Sequence, residues 1–243
     1  KKKGAIFVEE LEECPEDRPV IFSAHGVPKF VPEEAKRRQM LFVDATCPLV
    51  TKVHNEIKRY NNNGYKIIMI GHRGHPETIG TMGQLPEGEV LLVENKSDVD
   101  KLSFPKHTKL AYVTQTTLSV DDTKEIALAL NKKFPSIENP KKEDICYATT
   151  NRQEEVKRIV KCVDLMLVVG SENSSNSQRL VDVAKYSGCT EAYLIEDYKR
   201  IDWEKVAKAN SIGITSGASA PDHLVREVIS KIQEKFDASL VHD

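Results

Sequence analysis

Residues 47–71 read CPLVTKVHNEIKRYNNNGYKIIMIG, and residues 146–170 read CYATTNRQEEVKRIVKCVDLMLVVG. In the first stretch Leu49, Val53, Ile57 and Tyr60 recur at helical spacing, Gly64 interrupts, and the run Ile67-Ile68-Met69-Ile70 ends at Gly71. In the second, Val156, Ile159, Val160 and Val163 lead into Leu165-Met166-Leu167-Val168-Val169, which ends at Gly170. A helical period that gives way to a continuous apolar run reads as helix, turn and buried strand. Cys47 and Cys146 open the two stretches at the same distance from their glycines, each shortly after an aspartate, Asp44 or Asp144. An internal repeat therefore organises the chain.

The correspondence continues outward. Each copy next has a polar loop, a helix and a strand, Val90–Glu94 in one and Ala192–Glu196 in the other. Then Leu110–Val113 precedes Thr114-Gln115-Thr116-Thr117-Leu118-Ser119, while Ile212-Gly213-Ile214 precedes Thr215-Ser216-Gly217-Ala218-Ser219-Ala220, and a helix closes each copy at Phe134 or Phe236. Half of the same pattern stands at the start of the chain. Ala5–Glu9 reads as the strand ending in glutamate, Pro19–Phe22 leads into Ser23-Ala24-His25-Gly26, and a charged helix over 32–39 precedes the strand Leu41-Phe42-Val43.

Alternating strands and helices predict an α/β fold: three repeated α/β units with small, mostly parallel sheets around a central site, the first unit lacking its N-terminal half. The divisions fall at 1–46, 47–143, 144–222 and a C-terminal helix and tail, 223–243. The missing half-repeat should carry a third cysteine at its own helix start, so the chain is expected to be N-terminally incomplete.

Composition narrows the functional classes. The 243 residues, 40% of them hydrophobic, are enough for a substantial core, and a formal charge of -2 from 35 basic and 37 acidic residues gives no general attraction to nucleic acid or membrane. No apolar run approaches the roughly 18 residues of a membrane span, and Lys1-Lys2-Lys3-Gly4 leads into a strand pattern with no signal-peptide core. A small-molecule partner and a cytoplasmic or organelle interior are expected. The five cysteines are scattered without a C-x-x-C pair, which argues against a disulfide frame or a zinc ribbon.

At a helix start, aligned amide dipoles stabilise a thiolate, the form that binds metal or attacks electrophiles. The bland alternative makes Cys47 and Cys146 small buried residues, but their matched register favours a shared role. Cys14, in an acidic turn, Cys162, in an apolar helical stripe, and Cys189, in a loop, recur in no other copy. Gly71-His72-Arg73-Gly74-His75-Pro76-Glu77 packs two imidazoles, a guanidinium and a carboxylate into one strand-end loop, where His75 could donate to a phosphate and a desolvated Glu77 could supply a proton. The alternative is a solvated turn. For His25 alone, a structural histidine is the safer reading. Asn173-Ser174-Ser175-Asn176-Ser177 is either a phosphate cradle or an ordinary helix cap. No glycine-rich nucleotide fingerprint is present.

Taken together, Ser23-Ala24-His25-Gly26-Val27, Asp44-Ala45-Thr46-Cys47-Pro48-Leu49-Val50, the 71–77 loop, Thr114–Ser119, Asp144-Ile145-Cys146-Tyr147-Ala148-Thr149-Thr150-Asn151-Arg152-Gln153 and Ser219-Ala220-Pro221-Asp222 resemble the 4-hydroxy-3-methylbut-2-enyl diphosphate reductase family, across essentially the whole chain. The resemblance implies a reductive dehydroxylation, the last step of the non-mevalonate isoprenoid pathway, giving isopentenyl and dimethylallyl diphosphate at a 4Fe-4S cluster held by three cysteines. Cys47 and Cys146 match two of those ligands; the third belongs to an N-terminal segment this chain lacks, and Cys14 does not replace it. By the same resemblance Glu77 is the proton donor and Thr116 lies near the departing hydroxyl, while His25, His75, Thr116, Ser174, Ser175, Asn176 and Ser219 bind substrate. The implied electron donor is a ferredoxin or flavodoxin, and the compartment bacterial cytoplasm or a plastid-type organelle. Two rival readings are a clusterless anion-binding fragment and a zinc or thiol enzyme using Cys47, Cys146 and His75.

Overall fold

Strands that are apolar along their whole length need cover on both faces, and the helices between them supply it. The computed structural model describes residues 4–241. In chain order the elements are β1 (Val20–Phe22), α1 (Phe30–Arg37), β2 (Phe42–Asp44), α2 (Pro48–Asn62), β3 (Lys66–Ile70), α3 (Pro76–Met82), β4 (Val90–Val93), α4 (Lys96–Lys101), β5 (Leu110–Thr114) and α5 (Val120–Lys133). They are followed by α6 (Tyr147–Ile159), β6 (Leu165–Val169), α7 (Ser175–Tyr186), β7 (Ala192–Ile195), α8 (Trp203–Lys208), β8 (Ile212–Ser216) and α9 (Asp222–Lys235). Three small sheets result, ordered β1-β2, β4-β3-β5 and β7-β6-β8, and every strand pairing is parallel. Among the described residues no helix is long and apolar enough to cross a membrane.

The chain forms two compact units. One comprises the described residues up to Thr116 together with Thr123–Asp144, and the other Thr117–Asp122 together with the residues from Ile145 onward. In the first unit Val53, Ile57 and Tyr60 of α2 pack on Ile67 and Met69 of β3, the pairing that the apolar period of 47–71 anticipates. In the second, Val156 of α6 and Leu180, Val183 and Ala184 of α7 cover Met166 and Val168 of β6. The opposite face of β6, Leu165, Leu167 and Val169, packs on Val228 and Ile232 of α9.

Two expectations are corrected. Ala5–Glu9 forms no strand; it is irregular and exposed. In the repeat, a strand at this place adds to the unit's central strand, as β4 adds to β3. In the second sheet β5 has β3 on one edge and, on the other, a single parallel bridge from Ala111 to Glu138 after α5. In the first sheet β2 follows α1 and pairs with β1 as Glu138 pairs with β5. The counterpart of β3, onto which a strand at 5–9 would add, has no equivalent among the described residues. Cys162 is also not in a helical apolar stripe: it ends a short 3-10 turn, Val160–Cys162, and is exposed.

One buried ion pair fixes the first unit's closing segment. The Asp144 side chain is wholly buried, accepts from the backbone N–H of Thr114 at 2.8 Å, and pairs with Lys52 Nζ at 2.6 Å. Lys52 also donates to the carbonyl of Lys142 at 2.9 Å and pairs with Glu56 at 2.9 Å. Removing Asp144 leaves the buried Thr114 N–H unpaired and Lys52 without its buried counter-ion, at a cost of about 3 kcal/mol. Asp144→Ala is therefore expected to lower the urea-unfolding free energy by about that amount. A change below about 0.5 kcal/mol, typical of an exposed pair, would show that the pair contributes little.

Candidate functional site

The ends of β3 and β5 are tied together by one side chain. Gln115, fully buried, follows β5; its carbonyl oxygen accepts from the His72 N–H at 3.0 Å and from the Thr78 hydroxyl at 3.3 Å. Gly71 makes room for this arrangement, since a Cβ there would meet Thr78 Oγ1 at 2.8 Å. The chain then turns into α3 with His75 as its N-cap, whose Nδ1 accepts from the Glu77 N–H at 3.1 Å. An accepting Nδ1 leaves the ring proton on Nε2, so the capping bond also selects the tautomer that can donate to a ligand. Burial pushes the His75 pKa down to about 4, and His25 and His72 add to the effect, so the ring is neutral at physiological pH. The His25 ring meets it edge-on at 5.4 Å. His25 itself reaches solvent, yet the protein around it still lowers its pKa.

Glu77 does not lie in a solvated turn. It is 1% exposed and faces the chain just beyond β5: Oε1 accepts from the Thr116 N–H at 2.6 Å, and Oε2 lies 3.0 Å from the Thr116 hydroxyl. Desolvation raises its pKa to about 7 against the lowering effect of the two Thr116 bonds, with the Asp144 charge adding to the rise. The Thr116 hydroxyl can accept from the protonated acid and, by rotating, donate to the carboxylate. Exposed Arg73 turns away to half-buried Glu94, at 3.6 Å, and is not aimed at the imidazoles.

Cys47 caps α2, half-buried, with its Sγ making no capping bond, while its N–H donates to the carbonyl of Ala24 at 3.0 Å, one residue before His25. The first unit thus gathers Cys47, His25, His75, Glu77 and Thr116. The second unit holds Cys146, Ser174, Ser175, Asn176 and Ser219. Cys146 caps α6, and its Sγ accepts from the Thr149 N–H at 3.3 Å. Ser174 caps α7, and its hydroxyl accepts from the N–H and the hydroxyl of Ser177, at 3.3 and 2.9 Å. Ser175 Oγ lies 3.4 Å from the Thr117 hydroxyl, and Ser219 is exposed beyond β8.

The repeat explains a contrast between the two units. Counting from Gly71 and Gly170, His75 corresponds to Ser174, Glu77 to Asn176 and Thr78 to Ser177. Counting from the strand partners Ile70–Thr114 and Val169–Ser216, Thr116 corresponds to Ala218. Glu77 has Thr116 as partner; at the matching place Ala218 has no hydroxyl. The Asn176 amide is buried, with neither Nδ2 nor Oδ1 hydrogen-bonded among the described residues. Such a group costs roughly 1–3 kcal/mol unless something else satisfies it, which makes it a candidate ligand contact.

Sequence reasoning missed the supporting residues Thr78, Gln115, Ser177 and Gln153. Gln153, fully buried in α6, grips the 117–122 segment through the carbonyl of Leu118 at 2.9 Å and the N–H of Val120 at 3.0 Å. The signal was present for Thr78 and Ser177: a hydroxyl at the same distance after each strand-end glycine.

The fold and these strand ends define a parallel α/β enzyme that combines a protonatable buried carboxyl, neutral imidazole donors and helix-capping thiols. The family model described as LytB protein matches residues 1–233, and the chain belongs to that family. A relative named 4-hydroxy-3-methylbut-2-enyl diphosphate reductase from Ruegeria pomeroyi is 60% identical over 99% of this chain and 76% of its own length. One of the same name from Cereibacter sphaeroides is 60% identical over 98% of this chain and 74% of its own length. Among solved structures, the E-1-hydroxy-2-methyl-but-2-enyl-4-diphosphate reductase from Plasmodium falciparum superposes with a TM-score of 0.91 at 42% identity, covering 95% of this chain and 72% of the other.

Glu77 links this geometry to pH. Its pKa stands above the ordinary carboxyl value in the folded state, so its contribution to stability is complete below about pH 4.5 and is lost as pH rises through about 7. A shift of that size is worth about 3 kcal/mol. Glu77→Gln, which cannot ionise, should raise the melting temperature over the unmutated protein at pH 8 and leave it nearly unchanged at pH 4.5. Equal changes at both values would mean that Glu77 is ionised throughout.

Proposed function

We propose that this protein reduces 4-hydroxy-3-methylbut-2-enyl diphosphate to isopentenyl and dimethylallyl diphosphate, with loss of the hydroxyl as water. Glu77 carries the proposal: an acid needed at neutral pH must keep its proton there, and a carboxyl with a pKa of about 7 does so. The relatives' names and the family membership support the same reading.

The reaction needs two electrons and two protons, and the family resemblance assigns the electrons to a 4Fe-4S cluster. Cys47 and Cys146 fit such a group as two thiolate donors: both are free, half-buried and placed at helix N-termini, where positive dipole ends favour the ionised sulfur. Among the described residues no three His, Cys, Asp or Glu side chains gather as metal ligands. The cluster reading names Cys47 and Cys146 as two ligands only. When bound, the cluster supplies electrons and a Lewis-acidic iron.

The remaining work falls to the chain. Glu77 holds the proton at Oε2 and passes it toward the departing oxygen, with the Thr116 hydroxyl turning to stabilise the carboxylate left behind. His75 donates from Nε2 to the diphosphate, beside His25. The family resemblance assigns Ser174, Ser175, Asn176 and Ser219 to the diphosphate as well, and a ligand there would give the Asn176 amide the hydrogen-bond partner it lacks among the described residues. Neutral donors and the positive end of α7 hold the anion, so no arginine clamp is needed. A ferredoxin or flavodoxin supplies the electrons, in a bacterial cytoplasm or plastid-type compartment.

In the natural protein, Glu77→Gln should leave substrate binding largely intact and cut turnover about tenfold or more, as expected for lost acid catalysis. Turnover near that of the unmutated enzyme would remove Glu77 from the role. After anaerobic iron–sulfur reconstitution the protein should absorb near about 400 nm, and Cys47→Ser or Cys146→Ser should each diminish that band. Colourless protein holding zinc tightly would contradict the cluster assignment.

A further inference from the structure

His54 lies on α2, two turns beyond Cys47, and none of the chemistry above uses it. Its side chain is buried, and Nε2 has no hydrogen-bond partner among the described residues. Burial keeps the ring neutral, lowering its pKa to about 4, with Lys58 adding to the effect and Asp44 opposing it. A leucine of similar volume would fill the same core without an unpaired nitrogen, which costs about 1–3 kcal/mol. What distinguishes the imidazole is a flat tip that reaches farther than a branched aliphatic chain.

That tip meets Gly26. A Cβ on Gly26 would lie 2.7 Å from His54 Cε1 and 3.2 Å from Nε2, with Val50 Cγ1 also at 3.2 Å. Gly26 adopts a left-handed backbone, φ 76°, so its conformation depends on what confines it. α3 also presses on the same residue: a Cβ on Gly80 would lie 2.8 Å from the Gly26 carbonyl oxygen. The segment that follows is fastened too, with the Lys29 N–H donating to the carbonyl of Gly83 at 3.0 Å and Gln84 Nε2 donating to the carbonyl of Val27 at 2.7 Å.

Gly26 closes the turn that presents His25, its N–H donating to the carbonyl of Ser23 at 3.1 Å. Confining Gly26 between the His54 ring and α3 therefore confines His25. Because α3 is also the helix capped by His75, the same contact sets how the two imidazoles meet. A gap on the α2 side would let the turn rock away from α3, and the His25 ring with it.

We propose that His54 is a positioning residue for the diphosphate end of the substrate: its ring holds the Gly26 turn against α3 and so fixes His25 beside His75. The proposal rests on the reading of His25 as a diphosphate donor, and the two can fail separately. The test is titration calorimetry of the natural protein with inorganic pyrophosphate, using His25→Ala, His54→Ala, the double variant and His54→Gln, whose flat amide reaches nearly as far as the ring.

His25→Ala and His54→Ala should each weaken binding by about tenfold, while the double variant binds no more weakly than His25→Ala alone, as residues acting through one group do. His54→Gln should stay within about threefold of the unmutated protein. If His54→Ala melts below the assay temperature, His54→Asn, shorter than the ring and polar, carries the same expectation. Unchanged binding in His54→Ala, or a loss that multiplies in full with that of His25→Ala, would overturn the positioning role alone. Unchanged binding in His25→Ala would overturn both readings.

Discussion

A carboxyl group taken out of water, hydrogen-bonded by Thr116, is the constraint on which the rest of the site depends. Keeping Glu77 buried requires that α3 start close against β5 and that the chain beyond β5 turn back over it. Gly71, by lacking a side chain, admits the Thr78 hydroxyl; Gln115 then binds both Thr78 and the His72 N–H, locking the two strand ends in register. Two donor groups from one threonine are fewer than a carboxylate needs for full solvation, and Lys52 is already committed to Asp144 and Glu56. The balance leaves the protonated form in favour up to about neutral pH.

The same local design occurs twice with opposite chemistry. At the start of α3 an imidazole caps the helix and a carboxyl is buried against a hydroxyl; at the start of α7 a serine caps it and an amide is buried against nothing. A duplicated frame of strand, glycine, cap and helix thus holds a carboxyl with a raised pKa in one half and an unpartnered neutral amide in the other. The exchange of Thr116 for Ala218 at matching positions accounts for much of the difference.

How far this was readable from the sequence follows from the physics of each feature. The β-strands of the second and third repeats are continuous apolar runs flanked by helical periods, and they appear where the pattern puts them. The stretch 5–9 carries the local signature of a strand, but a counterpart of β3 for it to pair with is missing among the described residues, and pairing is a non-local property that no local pattern records. The cysteines, His75, Glu77 and the serines stood out by type and register. That Glu77 is buried, that His75 is a neutral cap with its proton on Nε2, and that Asn176 has no protein partner depend on what faces each side chain across the sheet ends. His54 was hidden for the same reason, since on α2 it reads as one more polar residue; Asp144 stood out by its place before Cys146, but its burial and its pairing with Lys52 did not.

The most direct test of the account is the ionisation of Glu77 itself, followed by difference infrared spectroscopy of the carboxyl C=O stretch against pH, with Glu77→Gln as the subtraction reference. The account predicts a protonated band that persists through pH 6 and disappears with a midpoint near 7. A band already gone by about pH 5, the behaviour of a solvated glutamate, would contradict it.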